Sequence, residues 1–473
     1  MIAITFLFFI ILTRLFYVQV IWGEELQEKA IDQWTREIPI IAERGRIYDR
    51  NGIILADNDD TYTVFVRKKA VVNFEETSKA IASSLNISYD YVLGRLKNTN
   101  SSEVTIKKQV NKEYIDKLLE FDLSGVYYSR DNSRIYPYNE LLSGVLGFTS
   151  TDGKGQSGLE LYYDKYLSGI DGEILYQTDI VGKEIEGKTE SYIPATSGLN
   201  IKLTVDYDIQ TLCDTAMKSA YLEHSPISAK MLVLDPNNGE ILALSEYPNY
   251  NLNEIPRDNL DELNKLSRNS LISDIYEPGS TFKILTATAN VEEYYNGNSK
   301  AFSLTHVFNS SRYRYIDGQK VKCWSTHTNG KHSNLNLQGA LNNSCNPIFV
   351  DIAMNLGKET IYKYIEKFNY GKVTGIDISG EAQGMILPKS SVKNVDLSRI
   401  AFGQTVAVTG LQLALATASI INGGNYYTPH FVSEIYDNNG IIAYKAENKI
   451  KNKVVSEKTS QTRRELLENV VKD

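Results

Sequence analysis

One stretch limits the possible folds more than any other, Tyr276-Glu-Pro-Gly-Ser-Thr-Phe-Lys283. Pro278 and Gly279 end whatever precedes, and Ser280 stands where a helix begins. Beyond it Ile284, Leu285, Ala287, Ala289 and Val291 supply apolar positions, so the pattern predicts a helix buried along much of its surface. Ser280 and Lys283 lie three residues apart, on one face of its first turn. A serine hydroxyl becomes a useful nucleophile once a base takes its proton. A lysine can be that base where burial and the positive end of a helix dipole disfavour its ammonium form.

The dipeptide spacing alone is weak, because about two Ser-x-x-Lys matches arise by chance in a chain of this length. A second copy, Ser390–Lys393, follows a proline in a polar stretch with no apolar helix behind it. A downstream partner distinguishes the first copy. Ser344-Cys345-Asn346 comes 64 residues after Ser280, within Ala340-Leu-Asn-Asn-Ser-Cys-Asn-Pro-Ile-Phe349. Two other Ser-x-Asn matches, Ser84–Asn86 and Ser267–Asn269, precede Ser280 and break that order.

With both motifs in order, the sequence resembles the transpeptidase domain of class B penicillin-binding proteins, whose superfamily signature is Ser-x-x-Lys, Ser-Asp-Asn and Lys-Thr-Gly. Further stretches are similar to the same family: Leu234-Asp-Pro-Asn-Asn-Gly-Glu-Ile-Leu-Ala243, Thr374-Gly-Ile-Asp-Ile-Ser-Gly-Glu381, Ala401-Phe-Gly-Gln404 with Leu411-Gln-Leu-Ala414, and upstream Arg44-Gly-Arg-Ile-Tyr-Asp-Arg-Asn-Gly-Ile-Ile-Leu-Ala56. The resemblance covers nearly the whole chain. It implies an α+β protein: a membrane anchor at 1–22, an elongated non-catalytic pedestal at 23–190, and a penicillin-recognising, β-lactamase-like transpeptidase domain at 191–473 with a central antiparallel sheet flanked by helices.

The resemblance also implies roles. Ser280 attacks a terminal D-alanyl-D-alanine of a peptidoglycan stem peptide, and Lys283 takes its proton or, in the alternative, is an ion that only positions Ser344. Ser344 relays the proton to the departing D-alanine, while Asn346 holds the substrate amide and the lysine. The Ser280 backbone N–H is half of an oxyanion hole. β-Lactams acylate the same serine. Implied partners are the membrane and a membrane glycosyltransferase, with the catalytic domain outside the cytoplasm of a bacterium. No cofactor and no metal are implied. The third motif is nowhere in the chain: Lys188-Thr189 runs into Glu190, and Lys458-Thr459 into Ser460. Thr405 stands where the family usually has a second glycine and Gly410 where it often has proline. Two other readings remain: a D,D-carboxypeptidase or β-lactamase with water as acceptor, and a catalytically decayed scaffold.

The 473 residues suffice for two or three domains, and the net charge of −8 argues against a nucleic-acid surface. Met1 to Trp22 is almost wholly apolar, but only 13 residues precede Arg14, against about 20 needed to span a bilayer. Signal peptide, buried helix and incomplete anchor compete, and the family favours the anchor, with the chain cut at both ends. Between Glu24 and Glu190 the pattern predicts short strands at 64–67 and 104–106, amphipathic helices at 78–85 and 112–120, and a hairpin turning at Asn51-Gly52. Gly153-Lys-Gly-Gln-Ser-Gly158 matches a dinucleotide loop in letters, without the βαβ context that motif requires, and reads as a turn.

Downstream, a strand over 199–203, a helix over 209–221 and a hairpin from 231–235 to 240–244 are expected, with Asp235 as a turn former. Residues 300–335 read as an irregular surface excursion near the cleft, and helices are expected at 337–341, 348–355 and 411–421. Three cysteines, Cys213, Cys323 and Cys345, are too few for a disulfide framework. Cys345 is expected to pack inward rather than act as a nucleophile. The histidines His224, His306, His327, His332 and His430 show no recognisable metal-ligand spacing, and His327 and His332 are placed on a surface loop or against substrate.

Overall fold

The structure is a computed structural model and describes residues 2–23, 26, 35–178, 184–309, 311–327 and 332–472. Its first hairpin comes from a local rule. Asp49 Oδ1 accepts from the N–H groups of Asn51 (2.8 Å) and Ile53 (2.7 Å), which folds the chain back so that Ile47–Tyr48 pairs antiparallel with the strand Ile54–Arg67. The other Asp49 oxygen accepts from Tyr207 N at 3.2 Å, so the hairpin is also tied to the start of the helix Tyr207–His224.

The strand Ile54–Arg67 is the spine of the molecule. It lies in a seven-stranded sheet that runs, edge to edge, through 442–445, 432–436, 200–203, 47–48, 54–67 and 103–110, with 126–135 also paired to 54–67. Ile47–Tyr48 pairs parallel with 201–202, and the sheet is otherwise antiparallel, so the largest sheet is mixed and draws on both halves of the sequence. The resemblance implied a central antiparallel sheet within 191–473; the largest sheet is instead mixed and shared with residues 47–135. The hairpin Ala229–Leu234 and Ile241–Tyr247 forms as expected and pairs only with itself among the described residues.

Two cores result. Val64 and Val66, on one face of the strand by its period of two, pack with Ile81, Leu85, Val92, Leu96, Ile106 and Ile115 under the helices Phe74–Leu85, Tyr89–Asn98 and Lys112–Leu119. The larger core gathers Ile47, Leu55, Val145 and Leu159 with Leu203, Leu285, Phe349 and Phe431. Residues from the amino-terminal part thus share a core with the helices Lys283–Tyr295 and Asn346–Leu356. A buried ion cluster locks the junction: Glu160, fully buried, accepts from Arg44 Nε and Arg134 Nε, each at 2.6 Å.

The Gly153–Gly158 stretch opens in a turn, closed by Gly153 N donating to Ser150 O at 3.0 Å, then bridges from Gly155 to Thr149 and enters the helix Gly158–Tyr162. The helix Ile2–Phe16 continues as a π turn over Tyr17–Ile21 and exposes Phe6, Leu7, Phe8 and Phe9. No helix among the described residues is long and apolar enough to cross a membrane. Residues 24, 25 and 27–34 of the expected pedestal lie outside the described residues, as do residues 310 and 328–331 of the excursion.

Candidate active site

Ser280 lies in a tight 3₁₀ turn, Gly279–Phe282, that feeds directly into the helix Lys283–Tyr295. Gly279 has φ +57°, the left-handed region that a side chain disfavours, which is why Pro-Gly precedes the serine. The turn is clamped from both sides. Tyr276 and Val408 exchange backbone hydrogen bonds at 3.0 Å each, and Gly279 N donates to Gly403 O at 2.9 Å. A side chain at Gly403 would put its Cβ 2.2 Å from Gly279 O. The helix itself is buried almost all round, with Leu285, Ala287, Ala289 and Val291 in the core, and Thr286 donating to Ala401 O at 2.9 Å.

The second segment is the helix Leu337–Asn342, capped by Asn336, which accepts from Gly339 N at 3.0 Å. The chain then reverses at Ser344, whose φ is +48°, and enters the helix Asn346–Leu356. Pro347 sits in that helix's first turn, where its missing N–H costs nothing.

The two segments meet at Lys283. Its Nζ lies 3.1 Å from Ser280 Oγ, 2.8 Å from Ser344 Oγ and 2.8 Å from Ser344 O. Ser280 is exposed and Lys283 is 2% exposed, so a solvent-facing hydroxyl rests on a buried amine. Burial lowers the Lys283 pKa to about 8, while the nearby thiols Cys323 and Cys345 pull it back upward. The Nζ also lies 5.5 Å from the centre of the Phe349 ring. Asn346, two residues on from Ser344, donates from Nδ2 to Lys322 O at 3.3 Å and makes no hydrogen bond to Lys283 among the described residues, where the resemblance implied that it holds the lysine. The arrangement supplies a nucleophile, a base whose neutral form is accessible near neutral pH, and a second hydroxyl to pass the proton on.

Behind Ser344 the structure departs from the sequence reading of the histidines. Cys345 is buried, as expected, but it is not among aliphatic groups alone. The ligand atoms of Cys323, His327, His332 and Cys345 all lie within 4.8 Å of one another. His332 is only 3% exposed, so it does not lie on a surface loop. The convergence depends on the hairpin Tyr313–Ile316 and Gln319–Lys322 docking on the helix Asn346–Leu356, which Arg314 secures with two 2.7 Å contacts to Asp351. The available signal was two histidines five residues apart between two of only three cysteines. Cys345's hydrogen bond draws the Cys323 thiol below its ordinary pKa, and burial, then His327, lowers His332.

The decoy Ser390–Lys393 is separate, with Lys389–Ser391 in a short 3₁₀ turn and Lys393 at the start of the next helix. Asp235 is a turn former, accepting from Asn237 N at 2.8 Å. Thr405 carries φ +59°, the conformation for which the family's glycine is suited.

Comparison with known proteins gives two family matches. The penicillin binding protein transpeptidase domain matches residues 230–473 and the penicillin-binding protein dimerisation domain residues 39–203. Stage V sporulation protein D of Bacillus subtilis is 38% identical over 468 residues, covering 98% of this chain and 71% of that protein. The peptidoglycan D,D-transpeptidase FtsI of Escherichia coli is 28% identical over 423 residues, covering 88% of this chain and 69% of its own length. Among solved structures, a peptidoglycan synthetase from Bifidobacterium adolescentis superposes with TM-score 0.72 at 24% identity, covering 93% of this chain and 82% of the other. Penicillin Binding Protein 2X from Streptococcus thermophilus gives 0.69 at 24% identity, covering 92% and 66%. These two share the fold.

Proposed function

The chain belongs to the penicillin-binding proteins with a transpeptidase domain, and on that premise we propose that Ser280 is the acylated residue of a peptidoglycan D,D-transpeptidase. The observation that carries the assignment is the buried Lys283 Nζ, within hydrogen-bonding distance of both Ser280 Oγ and Ser344 Oγ.

Neutral Lys283 takes the Ser280 proton as Oγ bonds to the carbonyl carbon of the penultimate D-alanine. The C–N bond to the terminal D-alanine then breaks, and its amine leaves with a proton passed from Lys283 through Ser344 Oγ. In the second half an amine of a neighbouring stem peptide attacks the ester, its proton returns through the same pair to Ser280, and the cross-link forms. By the family's pattern Asn346 holds the substrate amide, which its Nδ2 reaches by leaving Lys322 O. A β-lactam enters the first half and stays as the ester.

The exposed apolar side chains of the helix Ile2–Phe16 support membrane attachment, with the catalytic group outside the cytoplasm, where its substrate and a glycosyltransferase partner are found. Carbonate washing of bacterial membranes tests this. The full chain should stay with the pellet and a chain lacking residues 1–22 should leave it; equal release of both contradicts the attachment.

The chemistry is tested with a D-alanyl-D-alanine donor peptide and an amine acceptor. Free D-alanine and cross-linked dimer should accumulate together in the wild type and neither in Ser280→Ala. D-alanine release without dimer would assign a carboxypeptidase instead.

A further inference from the structure

We propose that Cys323, His327, His332 and Cys345 hold a divalent zinc ion that fixes the Ser344 turn against Lys283. The four side chains come from two segments in the order Cys-x₃-His-x₄-His-x₁₂-Cys. Two thiols and two imidazoles form a borderline-soft set, the composition of closed tetrahedral zinc sites. With Zn–S near 2.3 Å and Zn–N near 2.0 Å, such a tetrahedron has ligand-to-ligand edges of roughly 3.3–3.8 Å. The set here lies within 4.8 Å on every edge, with Cys345 Sγ 3.8 Å from His327 Nε2, so contraction by about an ångström closes it.

Two further observations ask for a cation. His332 Nδ1 is buried and has no hydrogen-bond partner among the described residues, a costly arrangement for a polar atom. His327 and His332 also stack with ring centres 4.1 Å apart and planes at 25°. The stack keeps both imidazoles beside the two thiols, so that all four ligand atoms can reach one ion.

Four protein ligands leave no open position, so the ion is structural and does not touch substrate. Its effect passes through Cys345, whose neighbours on either side are Ser344 and Asn346. Ser344 holds a left-handed backbone conformation that persists only where its surroundings impose it. The ion supplies that constraint by tying the turn to Cys323, His327 and His332. Trp324 reinforces the tie, its Nε1 donating to Asn343 O at 3.2 Å. The consequence for acylation rests on the Ser280 assignment; the metal site does not.

The test is the metal content of the full chain purified without chelator, alongside Cys323→Ser and His332→Ala. The wild type should carry about one zinc per chain and each variant less than a tenth of that. Should the variants fail to fold, wild type stripped by chelator under reducing conditions and titrated with cobalt(II) decides alone. A tetrahedral thiolate–cobalt spectrum saturating near one equivalent supports the site, and its absence overturns the proposal. Zinc content equal in wild type and both variants overturns it as well. Zinc return should raise the melting temperature of stripped wild type and restore β-lactam acylation, while a chain that binds zinc yet never acylates contradicts only the Ser280 assignment.

Discussion

Lys283 Nζ sits 2.8 Å from Ser344 Oγ, a contact between residues 61 apart in sequence that places a buried amine between two hydroxyls. That one contact turns two common short patterns into a candidate proton relay. It also determines how the protein should respond to pH.

The ordinary lysine pKa of 10.5 falls to about 8 here, chiefly through burial. Below about 8 the resting site is mostly ammonium, so the second-order rate of penicillin acylation should rise about tenfold per pH unit up to that point and level off above it. The same shift gives the sign for stability. The fold disfavours the ammonium, so this cost is fully present below about 8 and is relieved as pH rises toward 10.5. Lys283→Arg, which keeps the charge but cannot release its proton, should lose roughly a hundredfold or more in acylation rate. A flat profile from pH 6 to 9 would make Lys283 a positioning ion.

Glu160 is fully buried between Arg44 and Arg134. Glu160→Gln leaves the Arg134 guanidinium without its carboxylate, while Arg44 keeps Asp164 at 2.7 Å, and should cost about 3–5 kcal/mol in chemical denaturation, since removing one partner of a buried ion cluster leaves uncompensated charge. A loss under about 1 kcal/mol would show that solvent reaches the cluster.

Gly403 and Thr405 should respond in opposite directions. Gly403→Ala drives a Cβ into Gly279 O, displaces the Ser280 turn and should lower both melting temperature and acylation rate. Thr405→Gly relieves a left-handed β-branched residue worth about 1–2 kcal/mol, less about 0.5–1 kcal/mol for glycine's unfolded freedom. Thermal unfolding of the pair reads both signs, and a destabilised Thr405→Gly would mean that the Thr405 side chain matters to the loop.

The legible parts of this protein were those set by local rules. The helix Lys283–Tyr295 follows from apolar spacing, the hairpin at Asn51-Gly52 from Asp49 and glycine, and the meeting of Ser280 with Lys283 from helical geometry. What escaped depends on distant packing. Glu160 lies in a plain Leu-Glu-Leu-Tyr-Tyr run whose sequence says nothing of Arg44, 116 residues away. Ile47 and Leu55 look like pedestal residues until the parallel pairing with Ile201 puts them in the catalytic core. The thiol–imidazole cluster interleaves two residue types across an irregular segment, so neither paired cysteines nor paired histidines at a familiar spacing announce it.

Acylation of Ser280 is read by intact-mass spectrometry of the chain after incubation with a penicillin. The wild type should gain the mass of the antibiotic, Ser280→Ala should gain nothing, and Ser344→Ala should gain it more slowly. An adduct that persists in Ser280→Ala would contradict the Ser280 assignment, placing the reactive group elsewhere.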